Sequence, residues 1–165
     1  MIDSESLMSM AGTSADLVTI EAGENVSVAA ARMAENHIGA LMVMNGERVA
    51  GIITERDVTV RVVAANLEPN STRIEQVMTR KLICCSLETS ISTAQQVMAE
   101  NGIRHLPLVE QGLPVGMLSV RDVLQHQLAS VRALAIKQSR ILSDLEGAYP
   151  GITSLNRDEY GRIRI

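Results

Sequence analysis

Two stretches place a hydroxyl three residues ahead of a carboxylate: GIITERDV, with Thr54 and Asp57, and GMLSVRDV, with Ser119 and Asp122. That spacing is what the first turn of a helix uses when side chains cap its end. A ligand site at a helix N-terminus draws on the same residue types, because backbone N–H groups and the helix dipole there favour an anion. Arg56 and Arg121 stand directly before the two aspartates, each a planar fork suited to phosphate. Gly51 and Gly116, three residues before the hydroxyls, let a backbone approach a ligand closely. The carboxylates repel a phosphate and therefore need another task, which the neutral hydroxyls of a ribose supply. Diol on Asp, with phosphate on hydroxyl, arginine and helix N–H groups, describes a nucleotide. Helix cap and nucleotide site both remain open on these residues alone.

Other reactive side chains form no recognisable set. His37, His105 and His126 lack metal-ligand spacing with one another or with Cys84 and Cys85, so no metal site is expected. The adjacent cysteines in LICCSL read as part of a buried strand carrying packed, reduced thiols. No Ser-His-Asp set or catalytic carboxylate pair can be assembled, and the chain is expected to be neither an enzyme nor a holder of a required cofactor. Phe and Trp are absent and the two tyrosines fall in the last 20 residues. A planar ligand would be gripped by aliphatic side chains.

The elements that position these residues come from an internal repeat. Residues 17–58 align over 82–123 at a constant offset, 82 − 17 = 65, with no gap, and pair identical residues such as Met33/Met98, Glu35/Glu100, Asn36/Asn101, Gly51/Gly116 and Asp57/Asp122. In each copy a short apolar run (17–20; 82–85) reads as a strand. A helical period follows, with Val26, Ala29, Ala30 and Met33 matched by Ile91, Ala94, Gln95 and Met98. ALMVMNGERVAGII then reads as a hairpin with a type I′ turn at Asn45-Gly46, while EQGLP in the second copy predicts a different turn. A final helix opens at Thr54 or Ser119. The expected fold is α+β: two β-α-β-β-α repeats packed about a pseudo-two-fold axis, plus a C-terminal helix. Its segments are an N-terminal stretch 1–16, repeat one at 17–65, a linker with a short helix at 66–81, repeat two at 82–128, and a C-terminal helix and tail at 129–165.

In the tail, Leu124, Leu128, Val131, Ala135, Gln138, Leu142 and Leu145 alternate at spacings of four and three, the seam pattern of a packed helix. It either returns onto the protein's own first domain or makes a dimer contact, where Gln138 would help set register. Residues 152–165 show no period, although Tyr149 and Tyr160 are candidates to dock.

At 165 residues and 46% hydrophobic the chain can close one core or two small ones. Its net charge of −4 argues against nucleic acid as a partner. No apolar run reaches the roughly 20 residues that cross a bilayer, and MIDSESLMSM places acids where a signal peptide carries Lys or Arg. A cytoplasmic protein is expected.

With IEQVMTRKLI, AENGIRHLPLVEQGLPVGMLSVRDV and GIITERDV in view, the chain resembles the tandem cystathionine-β-synthase (CBS) domain pair, or Bateman module, over about residues 17–128. The resemblance implies a regulatory module that binds an adenosyl ligand (AMP, ADP, ATP, NAD or S-adenosylmethionine) in the cleft between repeats. It implies that Thr54 and Ser119 contact phosphate and that Asp57 and Asp122 take ribose. The base would be lined by Ile38, Gly39 and Ala40 and, in the second copy, by Ile103, Arg104 and His105. A homodimer and a separate effector protein that reads the ligand state are the implied partners. The alternative is a dimerisation or scaffold module whose nucleotide sites are vestigial.

Overall fold

The computed structural model describes residues 6–7 and 17–148. The expectations for Tyr149, Tyr160 and the last residues lie outside the described residues. Two compact units divide between Val123 and Leu124.

In repeat one, β1 (Thr19–Glu21) runs parallel to β2 (Ala40–Asn45), and β2 pairs antiparallel with β3 (Arg48–Thr54). Helix α1 (Val26–Glu35) makes the crossover between the two parallel strands. β2 is the central strand, and its first four residues are all buried, which is why it reads as a continuous apolar run without alternation. Helix α2 (Glu55–Asp57) opens at Thr54 and continues as a π-helical stretch, Val58–Val63. Helix α3 (Ile74–Val77) lies in the linker. Repeat two follows at the same offset of 65: α4 (Ile91–Asn101), β4 (His105–Glu110), β5 (Leu113–Ser119) and α5 (Val120–Ala148).

Each repeat has its own core. Val26, Ala29 and Met33 of α1 pack with Ile20, Leu41, Val43 and Ile53. Ile91, Ala94 and Met98 of α4 pack with Leu106, Leu108 and Leu118. Ala30 and Gln95, at the margins of those helical faces, are only half-buried. Each core is completed by the segment that leads into the other repeat: Ile74 of α3 enters the first core, and Leu7 enters the second with its N–H donated to Thr89 O at 2.9 Å.

The repeats depart from each other in ways that correct the sequence reading. Residues 82–85 form no strand, only the single parallel bridge Cys85↔Leu108, the counterpart of Ile20↔Val43. In repeat one, Met42 N–H donates to Val18 O at 3.3 Å. The equivalent residue is Pro107, which has no N–H to give, so the ladder stops at one rung. Cys84 is accordingly exposed and Cys85 half-buried, not packed within a buried strand.

The turns are also reversed. Asn45 pairs with Arg48, so the first loop is Gly46-Glu47, with positive φ at Gly46 (60°) and not at Asn45 or Glu47. That is the φ pattern of a type II′ turn. In the second loop both Gln111 (50°) and Gly112 (80°) take positive φ, the type I′ signature.

Gly51 serves packing. A Cβ there would lie 2.6 Å from Thr79 O, because the linker backbone pairs with Ile52 at this point through Ile52 N–H to Thr79 O and Thr79 N–H to Ile52 O, each 2.9 Å. The close approach belongs to the chain itself, not to a ligand.

Candidate functional site

The two capping motifs fold alike. Thr54 N–H and Oγ1–H both donate to Asp57 Oδ2, at 2.9 and 2.7 Å, and Asp57 N–H donates back to Thr54 Oγ1 at 3.2 Å. Ser119 and Asp122 repeat the arrangement at 2.8, 2.6 and 3.3 Å. Each is a complete capping box, with one carboxylate oxygen doing the capping. The first amide of each helix is also taken: Glu55 N–H goes to Gly39 O and Val120 N–H to Arg104 O, both at 3.0 Å. The helix starts are therefore less open than free N–H groups would suggest.

The second carboxylate oxygen separates the repeats. Asp57 is 8% exposed, and its Oδ1 pairs with Arg61 Nη1 at 3.2 Å, one helical turn on. The same Nη1 donates to Val77 O at 2.6 Å, which ties Asp57 through Arg61 to the linker. Position 61 + 65 is His126. In repeat two Asp122 Oδ2 holds the cap in the same way, and a histidine stands where repeat one has the arginine.

Asp122 lines a cavity of about 430 Å³, within the roughly 300–1,000 Å³ of small-molecule sites. Of the sequence candidates, the cavity brings together Ile38, Gly39, Ala40, Arg104, His105, Ser119, Arg121 and Asp122; Thr54, Arg56, Asp57 and Ile103 are not in its wall. Both repeats contribute: the residues entering β2 from the first, and the β4 entry and α5 start from the second. Leu17, Val18, Asn36, Glu55, Met117 and Val120, not singled out from sequence, complete the lining with His37, which was weighed there only as a metal ligand. Leu17, Val18, Ile38, Ala40 and Val120 make part of the wall aliphatic, and Met117 adds an adaptable side chain.

His105 and Glu55 meet over Gly39. A Cβ at Gly39 would lie 3.1 Å from Glu55 Oε2, 3.1 Å from His105 Cε1 and 3.2 Å from His105 Nε2, so a bare backbone is what admits both side chains. Burial pushes the His105 imidazole below its usual range; Arg104 and, more weakly, Arg121 push the same way, against the opposing pull of Glu55 and Asp122. With His105 neutral at neutral pH, the charged side chains of the wall are Arg104, Arg121, Glu55 and Asp122. Cys84, although exposed as a residue, has its thiol raised by partial desolvation and then by Cys85.

His37 carries a signal that the repeat alignment held. It takes φ = 53° just after α1, where repeat two has Gly102 at φ = 61°. Glycine ordinarily fills this left-handed position, and a histidine held there on the cavity wall is backbone strain at a candidate site. Among the described residues no cluster of His, Cys, Asp and Glu is placed to hold a metal, and no helix is long and apolar enough to cross a membrane.

Comparison with known proteins agrees with this architecture. The CBS domain profile matches twice, over residues 10–64 and 74–129. The CBS domain-containing protein CBSCBSPB3 of Arabidopsis thaliana is 41% identical over 52% of this chain, which spans only 16% of that relative's length. An uncharacterized 17.7 kDa protein of Acidianus ambivalens is 32% identical over 82% of each chain. Among solved structures, a candidate signal-transduction protein with CBS domains from Burkholderia ambifaria superposes with a TM-score of 0.73 at 30% identity, covering 76% of this chain and 95% of that one. Two profile matches, which together cover more than half of the chain, make this chain a tandem member of the CBS domain family.

Proposed function

We propose that the chain is a regulatory module binding one adenosyl nucleotide per copy, in the cavity walled by Ile38, Gly39, Ala40, Arg104, Ser119 and Asp122. The observation that carries this reading is the split between the two aspartates: Asp122 lines the cavity, whereas Asp57 lies outside its wall and pairs with Arg61. Capping and binding are then compatible, since Oδ2 holds the helix start and Oδ1 accepts the ribose hydroxyls. Arg104, Arg121 and the Arg121 N–H supply the anion contacts, and aliphatic residues hold the adenine. The ligand state passes to a separate effector protein, and by linkage that protein must change nucleotide affinity by the factor with which nucleotide changes its own binding.

A thermal-shift panel of AMP, ADP, ATP, NAD, NADH and S-adenosylmethionine tests the reading. A ligand at 100 times its Kd adds about 2.7 kcal/mol of stability, a shift of several degrees that falls by about half or more in Asp122→Asn. No shift with any of them, from protein free of copurified nucleotide, overturns it. A scaffold with vestigial sites is the second reading, favoured by one observation: both capping boxes are closed by the chain's own atoms.

A further inference from the structure

Helix α5 is 29 residues long, about 43 Å at 1.5 Å per residue, and it presents an apolar seam to solvent. Leu124, Leu128, Val131, Leu142 and Leu145 are 50–58% exposed. Labelled as a heptad, Leu128, Ala135 and Leu142 occupy a, while Leu124, Val131, Gln138 and Leu145 occupy d. A second apolar stripe adjoins them at g, where Leu134 and Ile141 are 53% and 50% exposed. The remaining g position is Gln127, and the e positions are Gln125, Arg132, Ser139 and Glu146. Seven large apolar side chains at half exposure offer on the order of 700 Å² per copy, close to what one partner gives a standard stable interface and beyond what a monomer ordinarily leaves uncovered.

We infer that this face is covered by α5 of a second copy running antiparallel. The pattern is self-complementary in that direction. Layers whose residue numbers sum to 273 place Leu128 against Leu145, Val131 against Leu142, and the small Ala135 against the long Gln138 of the other copy. Antiparallel helices also set g beside g and e beside e. Leu134 then meets Ile141 on one flank, and Arg132 meets Ser139 on the other. A parallel pair would set g against e, putting Leu134 on Ser139, and would stack Ala135 on Ala135 and Gln138 on Gln138. The two-fold axis passes between Ile136 and Lys137, giving a closed, isologous contact. This inference stands apart from the nucleotide reading, since none of its residues lines the cavity.

Distances between spin labels test it on the full chain, with Cys84 and Cys85 replaced by Ser and one new cysteine at a time. Labels at Gln125→Cys lie about 35 Å apart along the axis in the antiparallel pair, and labels at Lys137→Cys about 2 Å apart along it, so that only the helix separation remains between them. A long Gln125 distance with a short Lys137 distance, both lost in Leu134→Glu/Ile141→Glu, is the expected result. Short distances at both sites mean a parallel pair and overturn the inference. A monomer, or distances untouched by the Glu substitutions, overturns it as well. Far-UV circular dichroism and a melting curve on each variant separate loss of pairing from loss of fold.

Discussion

Replacing Asp57 and Asp122 by Asn, one at a time, should separate stability from binding. In both variants the amide oxygen still accepts from the N-cap N–H and hydroxyl, so each loses mainly the charge at a helix start, about 0.3–1 kcal/mol. Asp57→Asn additionally loses the Arg61 pair, in which the carboxylate is nearly buried and the guanidinium half-exposed; discounted for solvent screening, that adds roughly 0.5–1 kcal/mol. At about 3–5 °C per kcal/mol for a unit of this size, Asp57→Asn should melt several degrees below wild type and Asp122→Asn only a few. Affinity should run the other way. Losing hydrogen bonds to a charged acceptor costs about 1.5–3 kcal/mol, so Asp122→Asn should raise Kd for the nucleotide roughly 10- to 150-fold, while Asp57→Asn should leave it within about two-fold. Calorimetric titration and thermal melts on the same preparations read both quantities. Equal loss of binding in the two variants, or loss in Asp57→Asn alone, would refute the assignment of unequal roles.

His37→Gly relieves a left-handed residue and should stabilise the fold by up to ~1 kcal/mol while weakening nucleotide binding, which paired melts and titrations would show. Gly39→Ala puts a methyl against Glu55 and His105 and should lower affinity with little change in melting temperature, both read in the same titrations and melts. Gly51→Ala, whose methyl meets backbone at Thr79 O, should instead destabilise by about 1–3 kcal/mol, as urea unfolding would measure. His105 predicts a pH effect. Its folded value lies below the usual histidine range, so as pH falls below about 6.5 the unfolded chain takes the proton first and stability declines. Urea unfolding at pH 7.5, 6.5 and 5.5 should show this slope reduced in His105→Gln.

The offset of 65 carried most of the architecture: α1 and α4, β2 and β4, and β3 and β5 begin in strict register, because apolar positions in matched copies face matched cores. What the alignment concealed are single residues that break the symmetry through backbone or helix phase. Pro107 opposite Met42 removes one N–H and with it a strand. Arg61 opposite His126 looks like one polar residue for another, yet i,i+4 spacing from Asp57 makes it the counter-ion that occupies the first motif. Reading Gly51 as ligand approach failed because the linker that it admits is distant in sequence. Of the cavity's residues, Ser119, Arg121 and Asp122 were legible as motif positions and five more through the family resemblance, whereas Glu55 enters it only through the fold.

Stoichiometry is the most direct test of the central claim. Isothermal titration of the wild-type chain with the nucleotide that gives the largest thermal shift should return one ligand per copy. Two per copy, or one that survives Asp122→Asn and vanishes in Asp57→Asn, would contradict the account.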